Sequence, residues 1–497
     1  MAASRLLENV FGTSNIVWAS IIGLVLIYLA AGYWLGGRWA DRSQSMTTFA
    51  WILIAAGIFT CVVPVIARPV LRSAADAFDS LQLGTLFGSF ASVIILLIFP
   101  ITLMGVISPF AIRLAAKTPE EIGKDAGTLY AISTLGSFFG TFLPVLVLIP
   151  LIGTARTFII FGAGLIMVGA AGLWLFNHRS LASRAAIFLL IIPLALGFSL
   201  SGNNKATSGQ IVEAESSYNY IQVLELDGYR YLRLNEGQGV HSVYHPTELN
   251  YYGPWEQVSV APFFNPAPYA PDQVKRIAII GLAAGTAARQ ATEIYGNIPI
   301  DGIEIDPEIV KIGREYFGMN QPNLNVMVDD GRWGLAHSQE KYSIISIDAY
   351  RPPYIPPHLT TREFFKLVYE HLEPDGVMVI NVGRSINDRR LINALSSTIL
   401  TTFPNVHVMD VPNSFNSILF ATRQPTNAAN LADNYIYLKQ QGNAPDLLVD
   451  SMAITLASLQ PSPEKGIVFT DDRAPIEWIT NSMIFNFFLS DEAENLQ

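Results

Sequence analysis

Cysteine and charge are what this sequence has least of. One cysteine, Cys61, occurs in 497 residues, which excludes a disulfide framework and any cysteine-based metal cluster. The seven histidines show no paired ligand spacing. His241 and His245 lie four apart but flank a strand-like run, so the pair reads as coincidental and no metal is expected. Charged residues make up only 14% of the chain, against roughly 25% in an average soluble domain, which argues against a wholly soluble protein. Long polar or low-complexity tracts are also missing, which argues against disorder. No Lys/Arg-rich face occurs in the acidic half, which argues against nucleic acid as a partner.

The charge deficit is uneven. Residues 1–200 hold 11 Lys+Arg and 7 Asp+Glu, and the other 297 residues hold 20 and 34, so the halves carry +4 and −14 of the total −10. An apolar, slightly basic half joined to an acidic half of ordinary charge implies two domains in two solvents. Six stretches approach the roughly 20 apolar residues that cross a bilayer: Ile16 to Leu35, Phe49 to Leu71, Leu83 to Ile107, Leu129 to Leu151, Phe158 to Phe176 and the shorter Ala186 to Leu200. The first is too long, and too closely followed by others, for a cleavable signal peptide. Gly136-Ser-Phe-Phe-Gly140 has the small-xxx-small spacing that lets helices approach closely in lipid. No Asp, Glu, Lys or His lies inside any span, so helix packing is a better reading than a transport path. Seven Lys/Arg residues flank the spans on one side and five on the side carrying the C-terminal half, which by the positive-inside tendency places that half outside the cytoplasm. Supply of a cytoplasmic co-substrate would favour the opposite side.

The pattern changes after the polar linker Ser201–Gly209. Alternating runs over residues 211–265 predict a small antiparallel sheet. From Lys275 strand-like and helix-like segments alternate: Arg276–Ile280, Gly302–Ile305, Val326–Val328, Ile344–Ile347, Val377–Val382, Val406–Val411 and Ile418–Thr422 as strands, with helices such as Pro307–Phe317 and Thr361–Leu372 between the first six. That rhythm predicts a mostly parallel seven-stranded sheet covered on both faces, with the last two strands antiparallel at one edge. The domains expected are 1–205, a transmembrane helical bundle; 206–270, a β subdomain; and 271–497, a Rossmann-like nucleoside-binding domain.

Ligands of open α/β sheets bind at the carboxyl ends of the strands. Standing there are Gly281-Leu-Ala-Ala-Gly285, Glu304-Ile-Asp306, Asp329-Asp330-Gly331 and Asp348-Ala-Tyr350. Gly281 and Gly285 let the backbone approach a nucleotide. Glu304, 23 positions after Gly281, can accept both hydroxyls of a ribose, Asp330 can meet an adenine amino group, and Asp348 faces whatever lies beyond the sugar. Asp306 precedes Pro307 and fits a helix N-cap. Ala283 and Thr286 fit a dinucleotide fingerprint poorly, whereas an adenosyl-sulfonium ligand has no pyrophosphate to hold.

With these residues in place, the chain resembles the spermidine synthase (polyamine aminopropyltransferase) family, in particular its membrane-fused branch. The matching pieces are Glu215-Ser-Ser-Tyr218, His241-Ser-Val-Tyr244, Ile280-Gly-Leu-Ala-Ala-Gly-Thr286, Ile303-Glu-Ile-Asp306, Asp330-Gly-Arg332, Ile347-Asp-Ala-Tyr350, His358-Leu-Thr-Thr-Arg-Glu363 and Thr470-Asp-Asp-Arg-Ala-Pro475, with Gly36-Gly-Arg-Trp-Ala-Asp-Arg42 and Leu151-Ile-Gly-Thr154 in the membrane half. The resemblance implies Asp348 as the catalytic carboxylate. It implies Gly281, Gly285, Glu304, Asp329, Asp330 and Gly331 as contacts to decarboxylated S-adenosylmethionine or S-adenosylmethionine. It further implies Tyr218, Gln238, Tyr350, Arg351 and Asp472 as substrate contacts, a small-molecule amine as acceptor, a lipid bilayer around the helices and no metal, and it is compatible with a homodimer.

Three positions depart from the family pattern. Arg351 stands where the soluble enzymes carry a second Asp, Ala284 where they hold an aminopropyl ammonium with an Asp, and Asn219 where the early Tyr-Gln pair has its Gln. Two other functions therefore stay open: an S-adenosylmethionine-dependent methyltransferase, and a non-catalytic nucleoside-binding or transport protein. Asp471 and Asp472 either close the site or form structural ion pairs with Arg473, and Ile484–Leu489 reads as a docking or membrane-surface segment.

Overall fold

A computed structural model describes residues 3–4, 15–81, 85–116, 118, 122–177, 185–199, 207–235, 239–350, 354–385 and 387–489. The chain divides into two compact units, Met1–Ala206 and Thr207–Gln497.

The first unit is helical: α1 (Asn15–Arg42), α2 (Met46–Leu81), α3 (Thr85–Ala115), α4 (Ile122–Leu143), α5 (Thr154–Asn177) and the short α6 (Ile191–Ser199). Five of its segments are long and apolar enough to cross a membrane: Trp18–Arg42, Met46–Ala67, Ala91–Ala115, Gly123–Leu148 and Thr154–Phe176. The sixth apolar stretch falls short: one 3-10 run, Ala186–Leu190, leads into nine residues of α-helix, too few for about 30 Å of hydrocarbon. Glycines set the packing of the other helices. A Cβ on Gly32 would lie 2.3 Å from the Thr102 carbonyl oxygen and one on Gly36 2.8 Å from Val106, so α1 and α3 meet backbone to backbone. Gly57 and Gly162 do the same for α2 and α5, where a Cβ would lie 2.6 Å from the Gly162 oxygen and 2.4 Å from Cys61 Sγ. Gly136 and Gly140, the pair that spacing singles out, meet nothing within 4 Å among the described residues. Small-residue spacing thus identifies a helix that can be approached, while the approaching neighbour is a tertiary matter that spacing does not encode.

The second unit holds two sheets. Strands β1 (Gln210–Glu215), β2 (Tyr220–Leu226), β3 (Tyr229–Leu234) and β4 (Val240–Tyr244) form an antiparallel meander in the order β1-β2-β3-β4. The meander stops at Tyr244 rather than running on to residue 265. Residues Glu256–Phe264 are instead a fully buried 3-10 run with Pro262 inside it. Proline has no N–H for a ladder, and Val258, Val260, Phe263 and Phe264 go to the core of the larger sheet.

That larger sheet has the order β10-β11-β9-β8-β5-β6-β7, built from β5 (Ile277–Ile280), β6 (Ile300–Glu304), β7 (Leu324–Val328), β8 (Tyr342–Ile347), β9 (Leu372–Gly383), β10 (Asn405–Asp410) and β11 (Asn416–Thr422). Strands β5 to β9 are mutually parallel, and β11 pairs antiparallel with both β9 and β10, which leaves β10 at the edge. Helices α7 (Thr286–Tyr295), α8 (Pro307–Tyr316), α9 (Gly331–His337), α10 (Arg362–His371), α11 (Arg390–Ile399), α12 (Ala429–Gln441), α13 (Asp446–Ser458) and α14 (Ile476–Leu489) complete the unit. Alternate residues of β5 feed two cores: Ile277 and Ile279 join one with Phe264 and Phe420, and Ala278 and Ile280 join the other with Phe364, Phe365 and Leu395. Burial on both faces explains why the strands read as continuous apolar runs.

Candidate active site

Four strand ends meet at the carboxyl edge of β8, β5, β6 and β7. The turn after β5 is tight: Gly281 and Gly285 have φ of +84° and +87°, values that glycine adopts without steric cost. Ala283 also lies in the left-handed region, at φ 48°. A Cβ on Gly281 would lie 2.5 Å from the Asp348 carbonyl oxygen, so the turn and the end of β8 touch. The small sheet secures the same turn. Ala284 N–H donates to Ser242 Oγ at 3.0 Å, Val243 N–H to Thr286 Oγ1 at 2.9 Å, and Thr286 Oγ1 to the Val243 oxygen at 2.9 Å. The motif His241-Ser-Val-Tyr244 is thereby a docking strand for the Gly281–Gly285 turn and the head of α7.

Glu304, the last residue of β6, is 6% exposed. Its carboxylate accepts from Ala283 N–H at 2.9 Å and Asp306 N–H at 3.1 Å, which directs it at the Gly281–Gly285 turn. Burial pushes its carboxyl up to about 7, against backbone hydrogen bonds from Asp306, Ala283 and Ile305 and ahead of a smaller push from Asp306. Asp306 caps α8 by accepting from Glu308 N–H at 3.0 Å. It also receives Ser216 Oγ–H at 2.5 Å and Asn219 Nδ2–H at 2.9 Å, joining the 216–219 turn to the large sheet. Asn219, where a Gln was expected, thus has a structural partner.

Asp330 caps α9, accepting from Arg332 N–H at 3.0 Å and Trp333 N–H at 3.1 Å, and its other oxygen lies 2.8 Å from His358 Nε2. The capping role that sequence reading reserves for Asp306 is therefore shared by Asp330. Exposed Asp329 accepts from Asp330 N–H at 2.8 Å and donates its own N–H to the Glu304 oxygen at 3.1 Å. A Cβ on Gly331 would lie 2.4 Å from Ile280 Cγ2, so α9 begins flush against the end of β5.

Asp348 stands at the end of β8, its N–H donating to the Ile280 oxygen at 2.8 Å. Asn381 Nδ2–H donates to its carboxylate at 2.9 Å, while Asn381 Oδ1 is buried with no partner among the described residues. Burial raises the Asp348 carboxyl to about 7, and the Asn381 hydrogen bond only partly offsets this. Tyr350 accepts from Gly383 N–H at 2.6 Å and donates to the Asn381 oxygen at 3.2 Å. Burial, followed by the neighbouring Asp348 charge, raises its phenol, which stays neutral. Asn381 is the residue that sequence reading passes over; its signal is one amide at the end of the apolar run Val377-Met-Val-Ile-Asn-Val382.

Gln238 and Arg351 lie outside the described residues. Tyr218 is 40% exposed. Asp472 is exposed, and it is Asp471 that pairs, with Arg332 at 2.7 Å rather than with Arg473. Ala284 is fully buried in an apolar cluster with Ile221, Val223, Leu232, Ile309 and Phe317. No group of three or more His, Cys, Asp or Glu among the described residues is placed to hold a metal ion.

Residues 265–431 match the family model for the spermine/spermidine synthase domain. A "probable polyamine aminopropyl transferase" of Bifidobacterium longum is 33% identical over 296 residues, 56% of this chain and 64% of that protein; the chain thus spans just under two thirds of that relative. A polyamine aminopropyltransferase of Vibrio vulnificus is 31% identical over 238 residues, 46% of this chain and 74% of the relative. The crystal structure of a spermidine synthase from Thermotoga maritima overlays at 20% identity with a TM-score of 0.42, covering 51% of this chain and 84% of that one. The family match falls on β5 to β11, the strands that carry Glu304, Asp330, Asp348 and Asn381, and the chain belongs to the spermine/spermidine synthase family.

Proposed function

We propose that the chain is a membrane-held aminopropyltransferase that moves an aminopropyl group from decarboxylated S-adenosylmethionine to a small-molecule amine. The observation that carries this reading is the Asp348 carboxylate, fixed by Asn381 at 2.9 Å and brought by burial to about 7, beside a glycine turn that faces a second buried carboxylate, Glu304. Glu304 would accept the ribose hydroxyls, and the segment around Asp330 would face the adenine. An ammonium has no lone pair, so the acceptor must lose a proton to attack. Its nitrogen then bonds to the carbon next to the sulfonium as the C–S bond breaks. The electron pair returns to sulfur, the neutral thioether leaves, the product departs as a secondary ammonium, and the proton that Asp348 took from the acceptor before attack passes to solvent. A carboxylate near 7 is matched to that proton transfer at neutral pH. The five long apolar helices support a membrane tether.

Calorimetry of the full chain in detergent tests the assignment: methylthioadenosine and decarboxylated S-adenosylmethionine should bind, and an amine should be alkylated when the latter is present. Binding of neither would sink the enzyme reading. A chain that leaves the membrane fraction on carbonate washing would remove the tether. Ala284 supports a second reading, methyl transfer from S-adenosylmethionine, because its apolar surroundings offer an aminopropyl ammonium no counter-charge. Tighter binding of S-adenosylmethionine than of its decarboxylated form would favour that alternative.

The two raised carboxyls also set a pH dependence. Both hold their protons up to about 7 in the folded chain, whereas unfolded carboxyls release theirs near 4. The folded state then binds more protons between those limits, so this contribution to stability is full at low pH and is lost as pH rises from about 4 to about 7. Thermal midpoints of the Glu304→Gln/Asp348→Asn variant should fall less over that window than those of the parent. If ribose recognition needs ionised Glu304, methylthioadenosine affinity should rise roughly tenfold between pH 6 and 8, following the ionised fraction of the site.

A further inference from the structure

Thr470-Asp-Asp-Arg473 is a motif that the reaction leaves unused, and the bonds that Asp471 makes give it a role. Asp471 takes Arg332 in a two-pronged pair, Nη1 to Oδ1 at 2.7 Å and Nη2 to Oδ2 at 2.8 Å, across 139 residues of sequence. Thr361 Oγ1–H adds a third bond to Asp471 at 2.6 Å, and Asp471 N–H donates to Glu363 Oε2 at 3.0 Å. The turn is anchored from below: Phe469 is fully buried, its N–H donates to Thr398 Oγ1 at 2.9 Å, and its oxygen accepts from Arg362 N–H at 2.9 Å. Arg332 belongs to the first turn of α9, two residues after Asp330. It also donates to the His358 oxygen at 3.2 Å, while the His358 ring lies 2.8 Å from Asp330. Asp330, Arg332, His358, Thr361 and Asp471 are therefore one connected network at the third and fourth strand ends.

Stability alone does not account for that arrangement. The Arg332 and Asp471 side chains keep 27% and 46% of their exposure, and ion pairs that open to water contribute little to folding. What a two-pronged guanidinium–carboxylate pair supplies is direction, because both groups are planar and must align. Resting on the nucleoside site proposed above, we propose that the Thr470–Arg473 turn is a clasp in which Asp471, as a positioning residue acting through Arg332 and His358, fixes the Asp330 segment for the adenine end of the nucleoside.

The test uses the full chain in detergent, with methylthioadenosine as the calorimetric probe and steady-state kinetics beside it. Asp471→Asn should weaken methylthioadenosine binding and raise the KM of the sulfonium donor about tenfold, leaving kcat and the KM of the amine within about twofold. Arg332→Gln should do the same, and the double variant should lose no more than either single one, because both remove the same pair. Asp471→Asn binding the probe as the parent does, while Glu304→Gln loses it, would overturn the clasp and leave the site standing. Additive losses in the double variant, or an equal fall in kcat, would also overturn the clasp. Unchanged binding in Asp471→Asn and Glu304→Gln alike would overturn the nucleoside site itself, and the clasp with it.

Discussion

Asp348→Asn is expected to lower kcat by roughly 10²- to 10⁴-fold, the usual contribution of a positioned general base, while methylthioadenosine binding is largely kept. Asparagine matches aspartate in shape and removes only the proton-accepting charge. Single-turnover measurement with a saturating donor isolates the chemical step from binding. The effect should be large because the chain places no second described carboxylate against Asn381 or Tyr350: Asn381 donates to Asp348, and Tyr350 is satisfied by Gly383 and Asn381. Raising the pH should rescue the variant only partly, by supplying more neutral amine. A kcat within tenfold of the parent would mean that Asp348 does not take the proton, and that the amine arrives already neutral.

Glu304→Ala is expected to weaken nucleoside binding about 100-fold. Two charge-assisted hydrogen bonds to ribose hydroxyls contribute roughly 1.5–3 kcal/mol each, and the weaker end of that range already gives the effect. The buried Ala283 and Asp306 N–H groups lose their acceptor as well, so Glu304→Gln is the companion variant, since its amide oxygen can still accept from one of them. Affinity restored by Gln but not by Ala would assign the loss to the turn instead of the ribose.

The seven strands, their order of appearance and the antiparallel edge were legible because strands buried on both faces leave apolar runs, and the acidic residues that end them stand out against those runs. Glu304 and Asp348 were visible for that reason. Asn381 was not, since a single amide in Val377-Met-Val-Ile-Asn-Val382 is indistinguishable in sequence from a surface-facing strand residue; only its 2.9 Å contact to Asp348 identifies it. The second role of Asp330 was hidden similarly. Asp330-Gly331 reads equally well as a ligand turn or a helix start, and the structure gives it the cap along with His358. Residues 256–264 misled because alternation of apolar and polar residues with aromatics suits a strand, and the lack of an N–H at Pro262 matters only once a partner strand is sought. The partner of Asp471 lies 139 residues away, a distance over which no local pattern speaks.

The bonds between Ser242, Val243, Ala284 and Thr286 carry a consequence for how a ligand would leave. The amides of Val243 and Ala284 each end on a side-chain hydroxyl of the opposite segment, so neither can exchange its hydrogen with solvent until β4 separates from the head of α7. Opening the turn and peeling the meander are then a single local unfolding event. The residence time of a nucleoside would be limited by how often a four-stranded sheet lets go of its neighbour, and a substitution far out on β2 or β3 could shorten it without touching the pocket.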